Sequence, residues 1–367
     1  MNRYTAAVWL GLPALSLACV GAACSSSRVQ SSERSPSASS APSEFSRLRS
    51  VGAAPPGHWS RYRLEAGTIG RGVDVYVAHD TQPKPVVILI QGSGCAPLMT
   101  QDPDGSFHDT SLFQDLVAPR LNSLHFVMVE KRGVEPIRFS AAMTQRDRID
   151  AFERATRSCS PEYIHNVTKQ SRVDDIVATA VWLTHQPWAR QIILAGHSEG
   201  THVVTGVLRA MQGSNIAAAG LFASAGPIPF YGGYVARGAG NREQFQSVFD
   251  RIRMLQRADD DFIYEGLPAR RWKTFWLDST PIEDVRDSKV PLFVVQGTRD
   301  DTTLSADLFA LEAIRQQPDR PLRYVVLDQG DHAFETPDGK SHLAEVLDDF
   351  VSWALDGNRK TALVVLK

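Results

Sequence analysis

The sequence predicts an α/β protein, with a mostly parallel central sheet covered by helices on both faces. Three observations carry that prediction. Mostly apolar runs recur along the 367 residues, at Pro85–Ile90, His125–Val129, Ile192–Ala195, Ile216–Ala223, Pro291–Val295 and Leu322–Leu327. Strands buried on both faces read as such unbroken runs, whereas half-exposed strands alternate. Between several of these runs, apolar residues fall at spacings of three and four, so strands and helices take turns as in a parallel sheet. Finally, the run at Ile192–Ala195 breaks into Gly196-His197-Ser198-Glu199-Gly200 and resumes with Val203, Val204, Val207 and Leu208 at helical spacing. Strand, tight turn and helix therefore meet at Ser198.

The elements follow in chain order. Residues 1–24 stand apart from the fold: Arg3 supplies one positive charge, and Ala6–Ala23 is apolar and uncharged. That stretch is too short and too broken by Gly and Pro to span a membrane. From 25 to 50, 12 of 26 residues are Ser, with few apolar groups to bury. The expectation for 25–57 is a disordered tether, and for 58–360 a single folded body. Arg61–Leu64 and Gly72–Ala78 alternate and predict an antiparallel hairpin at the sheet edge. Pro85–Ile90 reads as a central strand running into Gln91-Gly92-Ser93-Gly94. Ser111–Leu121 is expected as a helix, and His125–Val129 as a strand ending in Glu130-Lys131-Arg132-Gly133. Residues 135–170 are mixed and charged, and read as an insertion without assigned elements. Val173–Trp188 predicts a helix bearing Ile176, Ala180 and Leu183 on one face. Between Gly226 and Lys289 the alternation stops. There Asn241 caps an expected helix with Phe245, Phe249, Ile252 and Leu255 on one side, and Trp272, Phe275 and Trp276 form a second helical cluster. Alternation resumes with Pro291–Val295, a helix over Ser305–Gln316, Leu322–Leu327 and an amphipathic helix over His342–Leu355.

A turn as sharp as Gly196–Gly200 would drive side chains at its two ends together, so both ends are Gly, and it strains Ser198 while aiming its hydroxyl off the sheet. The pentad in this setting, the Arg132-Gly133 turn after an earlier strand and two loops downstream resemble the α/β-hydrolase superfamily. That resemblance implies a nucleophile, then an acid, then a histidine along the chain. Gly297-Thr298-Arg299-Asp300 is similar to the family's acid turn and gives Asp300 as the acid, with Asp301 as the alternative. Asp328–Phe334 is similar to the loop carrying the base, which gives His332. Its neighbour Asp331 is set aside because adjacent side chains on an extended loop diverge. His197 and His202 sit in the turn and its helix and read as structural. The family's oxyanion donors are two backbone N–H groups, here Glu199 and one from the loop after Pro85–Ile90. Ser93 is that second donor and Gly94 the alternative. Gln91 stands where many relatives have His. The Glu199 side chain, at the first helical position, reads as a partner of the helix dipole. The family often places a helical cap where 226–289 falls.

A Ser nucleophile excludes the dehalogenase and epoxide hydrolase branches, which use Asp, and leaves acyl transfer to water. Carboxylic ester hydrolysis comes first among the expectations, and peptide or aminoacyl-amide cleavage second. A non-catalytic binding protein with the same fold is a third reading. No cofactor or metal is called for: Cys95 and Cys159 are the only cysteines beyond residue 24, and no C-x-x-C or Cys/His cluster exists for zinc. Net charge is −2, with no basic block, which argues against nucleic acid. The leader resembles a bacterial lipoprotein signal, with Gly21-Ala22-Ala23 before Cys24 and serines after it. Cys19 is a competing site, and neither cysteine has the usual Leu three residues before it. The resemblance implies export and a membrane anchor through a lipid on Cys24. In an oxidising compartment, Cys95 and Cys159 either pair or remain free thiols.

Overall fold

One ten-stranded sheet organises the protein, in a computed structural model that describes residues 49–50, 59–64, 72–114, 116–213, 215–223, 226 and 242–366. Its strands are β1 (Arg49–Ser50), β2 (Ser60–Leu64), β3 (Val73–Ala78), β4 (Lys84–Ile90), β5 (His125–Val129), β6 (Ala189–His197), β7 (Ile216–Phe222), β8 (Leu292–Gly297), β9 (Leu322–Leu327) and β10 (Ala362–Leu366). They lie in the order β1-β2-β3-β5-β4-β6-β7-β8-β9-β10. The pairs from β1 to β5 are antiparallel, and every pair from β5 to β10 is parallel.

The described helices are α1 (Gln145–Arg157), α2 (Pro161–Asn166), α3 (Lys169–Thr184), α4 (Gly200–Ala210), α5 (Arg242–Arg257), α6 (Ala269–Trp272), α7 (Pro281–Asp284), α8 (Thr303–Gln316) and α9 (Leu343–Leu355). The central strands carry long apolar stretches because both sheet faces are covered. Val86, Ile88 and Ile90 of β4 face Val173 and Ile176 of α3, Val203 and Val207 of α4 and Phe309 of α8. Val87 and Leu89 point the other way, into a cluster with Phe113, Val117 and the Val346, Leu347 and Phe350 of α9. Side chains alternate across a strand, so this one run feeds two cores.

Strand order also fixes where a ligand belongs. From β4 the chain steps to β5 on one side, then returns to β6 on the other. Strand order therefore reverses between β4 and β6, and the loops leaving their carboxyl ends diverge around a crevice. Those two loops are Gln91–Gly94 and the Ser198 turn.

Several expectations are corrected. Ser111–Leu121 is a string of turns, not a helix. Asp109 accepts from Ser111 N–H, Ser111 Oγ accepts from Phe113 N–H, and three-residue bonds link Gln114 to Ser111 and Leu116 to Phe113. Pro119 then removes a donor, and only the short 3₁₀ turn Ala118–Arg120 forms. The stretch 135–170 holds α1 and α2. Thr144 and Asp147 cap α1 reciprocally, and Ser160 caps α2 with Pro161 at its first position. The helix expected from Val173 begins at Lys169, capped by Thr168. Within the expected tether, Arg49–Ser50 pairs with Tyr62 and Arg63 along the open edge of β2. The fold also runs past residue 360, because β10 adds to β9 in parallel. Of the four apolar residues expected on one face of α5, Leu255 is buried while Phe245 and Phe249 stay 43% and 46% exposed. The cap aromatics divide, with Trp272 inside a small cluster with Leu255 and Phe275 in the main core. Residues 1–48, most of the tether, Asn241 and the rest of 227–241 lie outside the described residues.

Candidate active site

β6 ends at His197 and α4 begins at Gly200, so Ser198 and Glu199 make the whole turn. Ser198 has φ +56°, a left-handed conformation that a residue with a Cβ holds only when its surroundings enforce it. Here the enforcement is backbone bonding. Ser198 N–H donates to Phe222 O of β7 (2.9 Å), and Ser198 O accepts from Thr201 N–H and Oγ1 at 3.0 and 2.7 Å. A Cβ at Gly196 would lie 2.5 Å from Gly200 O, and one at Gly200 would lie 2.3 Å from Ile90 O. Neither position has room for a side chain.

The structure brings Ser198, His332 and Asp300 into one hydrogen-bonded line. Ser198 Oγ lies 2.9 Å from His332 Nε2, and His332 Nδ1 lies 2.7 Å from Asp300 Oδ2. An aspartate on Nδ1 places the proton there and leaves Nε2 to accept from the serine hydroxyl. Asp300 is fixed in turn by Thr302, whose N–H and Oγ1 both donate to Oδ1 at 2.9 Å. Burial pushes the Asp300 carboxyl upward, but its bonds from His332 and Thr302 outweigh this and leave its pKa lowered. The bond to Asp300 raises the His332 pKa against the opposing effect of burial. Asp301 is exposed, and Asp331 Oδ1 is committed to the Ala333 and Glu335 N–H groups of its own loop.

Two features lock the base in place. A Cβ at Gly297 would meet Gly330 O at 2.3 Å, so glycine lets the acid turn and the histidine loop touch, and Arg299 N–H bonds Gly330 O there. His197 Nε2 donates to the His332 carbonyl at 2.8 Å, and burial pushes the His197 pKa down to about 4, which keeps the ring neutral. His202 is buried inside α4 on Ser279 Oγ, with its pKa pushed down to about 3 by burial and by Lys169.

The loop Gln91–Gly94 lies beside the nucleophile: a Cβ at Gly92 would stand 2.9 Å from Ser198 Cβ. Among the described residues no acceptor meets the N–H of Ser93 or of Glu199. Beneath the loop is a group of buried charges that the sequence reading missed. The Glu199 carboxylate does not serve the helix dipole alone, since it pairs with Arg172 Nη1 at 3.3 Å and with Arg271 Nη2. Arg172 comes from α3 and Arg271 from α6. Arg172 also donates to the carbonyls of Gln91 (2.6 Å) and Gly92 (3.3 Å). Lys131 Nζ donates to Gly94 O at 2.5 Å, Ser93 O at 3.4 Å and Gln91 Oε1 at 3.5 Å. Its neighbour Glu130 accepts from the N–H groups of Leu98 and Lys131. Glu130-Lys131 was visible in sequence as part of a turn, but nothing marked its side chains as bound to the loop.

Cys95 and Cys159 are joined, with 2.09 Å between the sulfurs and a sequence separation of 64. Cys19 and Cys24 lie outside the described residues. Among the described residues, no group of three or more His, Cys, Asp or Glu is arranged to hold a metal, and no helix is long and apolar enough to cross a membrane.

No family model matches the chain, and no curated protein matches it at a significant level. Solved structures do resemble it. Est1E from Butyrivibrio proteoclasticus is 14% identical with a TM-score of 0.52, over 80% of this chain and 98% of that one. An acylaminoacyl peptidase from Pyrococcus horikoshii is 11% identical with a TM-score of 0.53, over 83% of this chain and 43% of that one. A puromycin-hydrolyzing peptidase from Mycobacterium tuberculosis is 15% identical with a TM-score of 0.51, over 84% and 41%. This chain thus spans less than half the length of either peptidase. At these identities the likeness is one of fold, and the fold is that of the α/β-hydrolases.

Proposed function

We propose that this chain is an exported serine hydrolase that cleaves carboxylic esters through an acyl-enzyme. The observation that carries the reading is the unbroken line from Ser198 Oγ to His332 to Asp300, at 2.9 and 2.7 Å. A serine hydroxyl is a weak nucleophile at neutral pH and needs a base within hydrogen-bond reach, itself oriented by a third group. Here Ser198 Oγ attacks the ester carbonyl while its proton passes to His332 Nε2. The carbonyl oxygen becomes an oxyanion held by the N–H groups of Ser93 and Glu199. As that tetrahedral centre collapses, the alcohol leaves with the proton from Nε2, and the acyl group stays on Ser198. Water then attacks the acyl-enzyme with His332 again as base, which returns the acid product and free Ser198. Asp300 keeps the proton on Nδ1 throughout and stabilises the imidazolium that forms at each attack. No cofactor enters this sequence.

Export and attachment to the membrane through a lipid on Cys24 belong to the same proposal and rest on the leader sequence alone. The test of the chemistry is a pair of measurements. A fluorophosphonate should label the wild-type chain on Ser198 and fail on Ser198→Ala. A panel of p-nitrophenyl esters and aminoacyl p-nitroanilides should show turnover of the esters. Turnover confined to the anilides would convert the enzyme to an amidase or aminopeptidase, and absence of both labelling and turnover would leave a binding protein.

A further inference from the structure

We propose that Lys131 and Arg172 are positioning residues that aim the oxyanion donors by gripping the opposite ends of the same peptide units. This rests on the hydrolase reading above and extends it to two side chains that touch neither Ser198 nor its substrate. In a trans peptide the C=O and the following N–H point in opposite directions. Arg172 holds the carbonyls of Gln91 and Gly92 at 2.6 and 3.3 Å, so the N–H groups of Gly92 and Ser93 face away from it. Lys131 holds the carbonyls of Ser93 and Gly94 at 3.4 and 2.5 Å, so the N–H groups of Gly94 and Cys95 face away from it. Tyr163 Oη adds a third grip on Gly94 O at 3.0 Å. Successive carbonyls are thus drawn onto two buried cations, and each amide of the row is turned away from the cation that holds its peptide. Such a row of amides is an anion-binding arrangement.

The loop needs that grip because its own chain does not supply it. Gly94 has φ +84°, and nothing lies within 4 Å of where its Cβ would be. A peptide flanked by such a glycine turns over readily, and turning over would replace a donor with a carbonyl oxygen. Lys131 is suited to prevent this. Its side chain is buried, yet all three described acceptors of its ammonium belong to Gln91–Gly94. The carboxylate adjacent in sequence, Glu130, gives its oxygens to backbone N–H groups instead. An ammonium taken from water and given only neutral acceptors is costly, and burial accordingly drives its pKa down. The arrangement is therefore a poor device for stability and a good one for holding carbonyls. A positive charge behind the amides also polarises them toward an oxyanion in front, in surroundings where dielectric screening is weak.

The test uses the full chain with Lys131→Met, which keeps length and removes every donor, and Tyr163→Phe, which deletes one hydroxyl. For each, kcat and KM are measured on p-nitrophenyl butyrate, together with inhibition by phenylboronic acid, which forms a tetrahedral adduct on the serine. Loss of one complete donor costs about 10²- to 10³-fold in kcat, and misaiming should cost part of that. For Lys131→Met the expected result is about a 30-fold fall in kcat, KM within about twofold, and phenylboronic acid weakened by the same factor as kcat. Tyr163→Phe should move the same quantities in the same direction by about threefold, and it decides the matter if Lys131→Met does not fold. Unchanged kcat and inhibitor affinity with a lowered melting temperature would overturn the proposal, as would a rise in KM alone. A wild-type chain that neither turns over esters nor is labelled at Ser198 would overturn both this proposal and the hydrolase reading, whereas an active wild type with undisturbed variants sinks this one only.

Discussion

Replacing Asp300 with Asn tests the base and its orientation together, and the structure dictates which way the new amide must sit. Thr302 N–H donates to Oδ1 of Asp300 at 2.9 Å, and a backbone N–H has no other role to offer. The amide oxygen of the substituted side chain must therefore take that side, which turns its NH₂ group toward His332 Nδ1, where Oδ2 now lies 2.7 Å away. A donor facing Nδ1 stabilises the tautomer with its proton on Nε2. That nitrogen then points a hydrogen at Ser198 Oγ and accepts nothing. Loss of the acid by this route costs about 10⁴ in kcat, or about 5 kcal/mol of transition-state stabilisation. The pH profile should move as well. His332 acts only when neutral, so activity falls as pH drops through its pKa, which stands above the ordinary value of about 6.5 chiefly because of the bond to Asp300. Residual activity of Asp300→Asn should therefore have its acid limb at lower pH than the wild type. The assay is kcat/KM for a p-nitrophenyl ester between about pH 5 and 9, beside Asp301→Asn as a comparison. A loss below tenfold, or a larger loss in Asp301→Asn, would refute the assignment of Asp300.

Further expectations follow from the same geometry. Ser198→Ala and His332→Ala should each lower kcat by about 10⁵- to 10⁶-fold, with the double variant scarcely worse, because the groups act as one unit; additive losses in steady-state kinetics would contradict that. Cys159→Ser opens a 64-residue ring and should lower stability by about 4 kcal/mol on the loop-entropy account, read as a lower melting temperature. Because Cys95 directly follows the donor loop, kcat should also fall about tenfold, a fraction of the loss of a whole donor; unchanged kcat would make the bond a staple alone. Cys24→Ser should move the protein from the membrane fraction to the soluble one or block its maturation, and an effect of Cys19→Ser instead would shift the processed site.

The parts of this protein legible in its sequence are those governed by local rules. Gly196 and Gly200 announce the turn because a Cβ at either would strike backbone within a few residues of chain or on the adjoining strand. The runs at β4 to β9 are legible because burial on both faces leaves few polar positions in them. Local caps also announced α1 and α2, in Thr144 with Asp147 and in Ser160 with Pro161, but the charged stretch around them masked the pattern. At Ser111–Leu121 the apolar spacing misled, because Ser111 and Asp109 divert the backbone into turns before a helix can propagate. The buried charges were beyond reach for another reason. Glu199 meets Arg172 across 27 residues and Arg271 across 72, and no spacing rule joins such partners before the fold does. His197 shows the same limit: its place beside the nucleophile was plain, but its bond to the His332 carbonyl spans 135 residues.

The bond between Cys95 and Cys159 also makes the chain a closed circuit between those residues, with β5, Lys131 and α1 on its circumference. Helix α1 has no buried residue, and its Arg146 and Arg157 side chains are 81% and 76% exposed, so it offers trypsin-like proteases their preferred residues. A single cut there opens the circuit without releasing a fragment, since each new end remains attached through the sulfur bridge. Such a clipped molecule would migrate as one species on a denaturing gel until reductant is added. It would then part into two pieces, one carrying Gly92–Gly94 and the other carrying Ser198, Asp300 and His332.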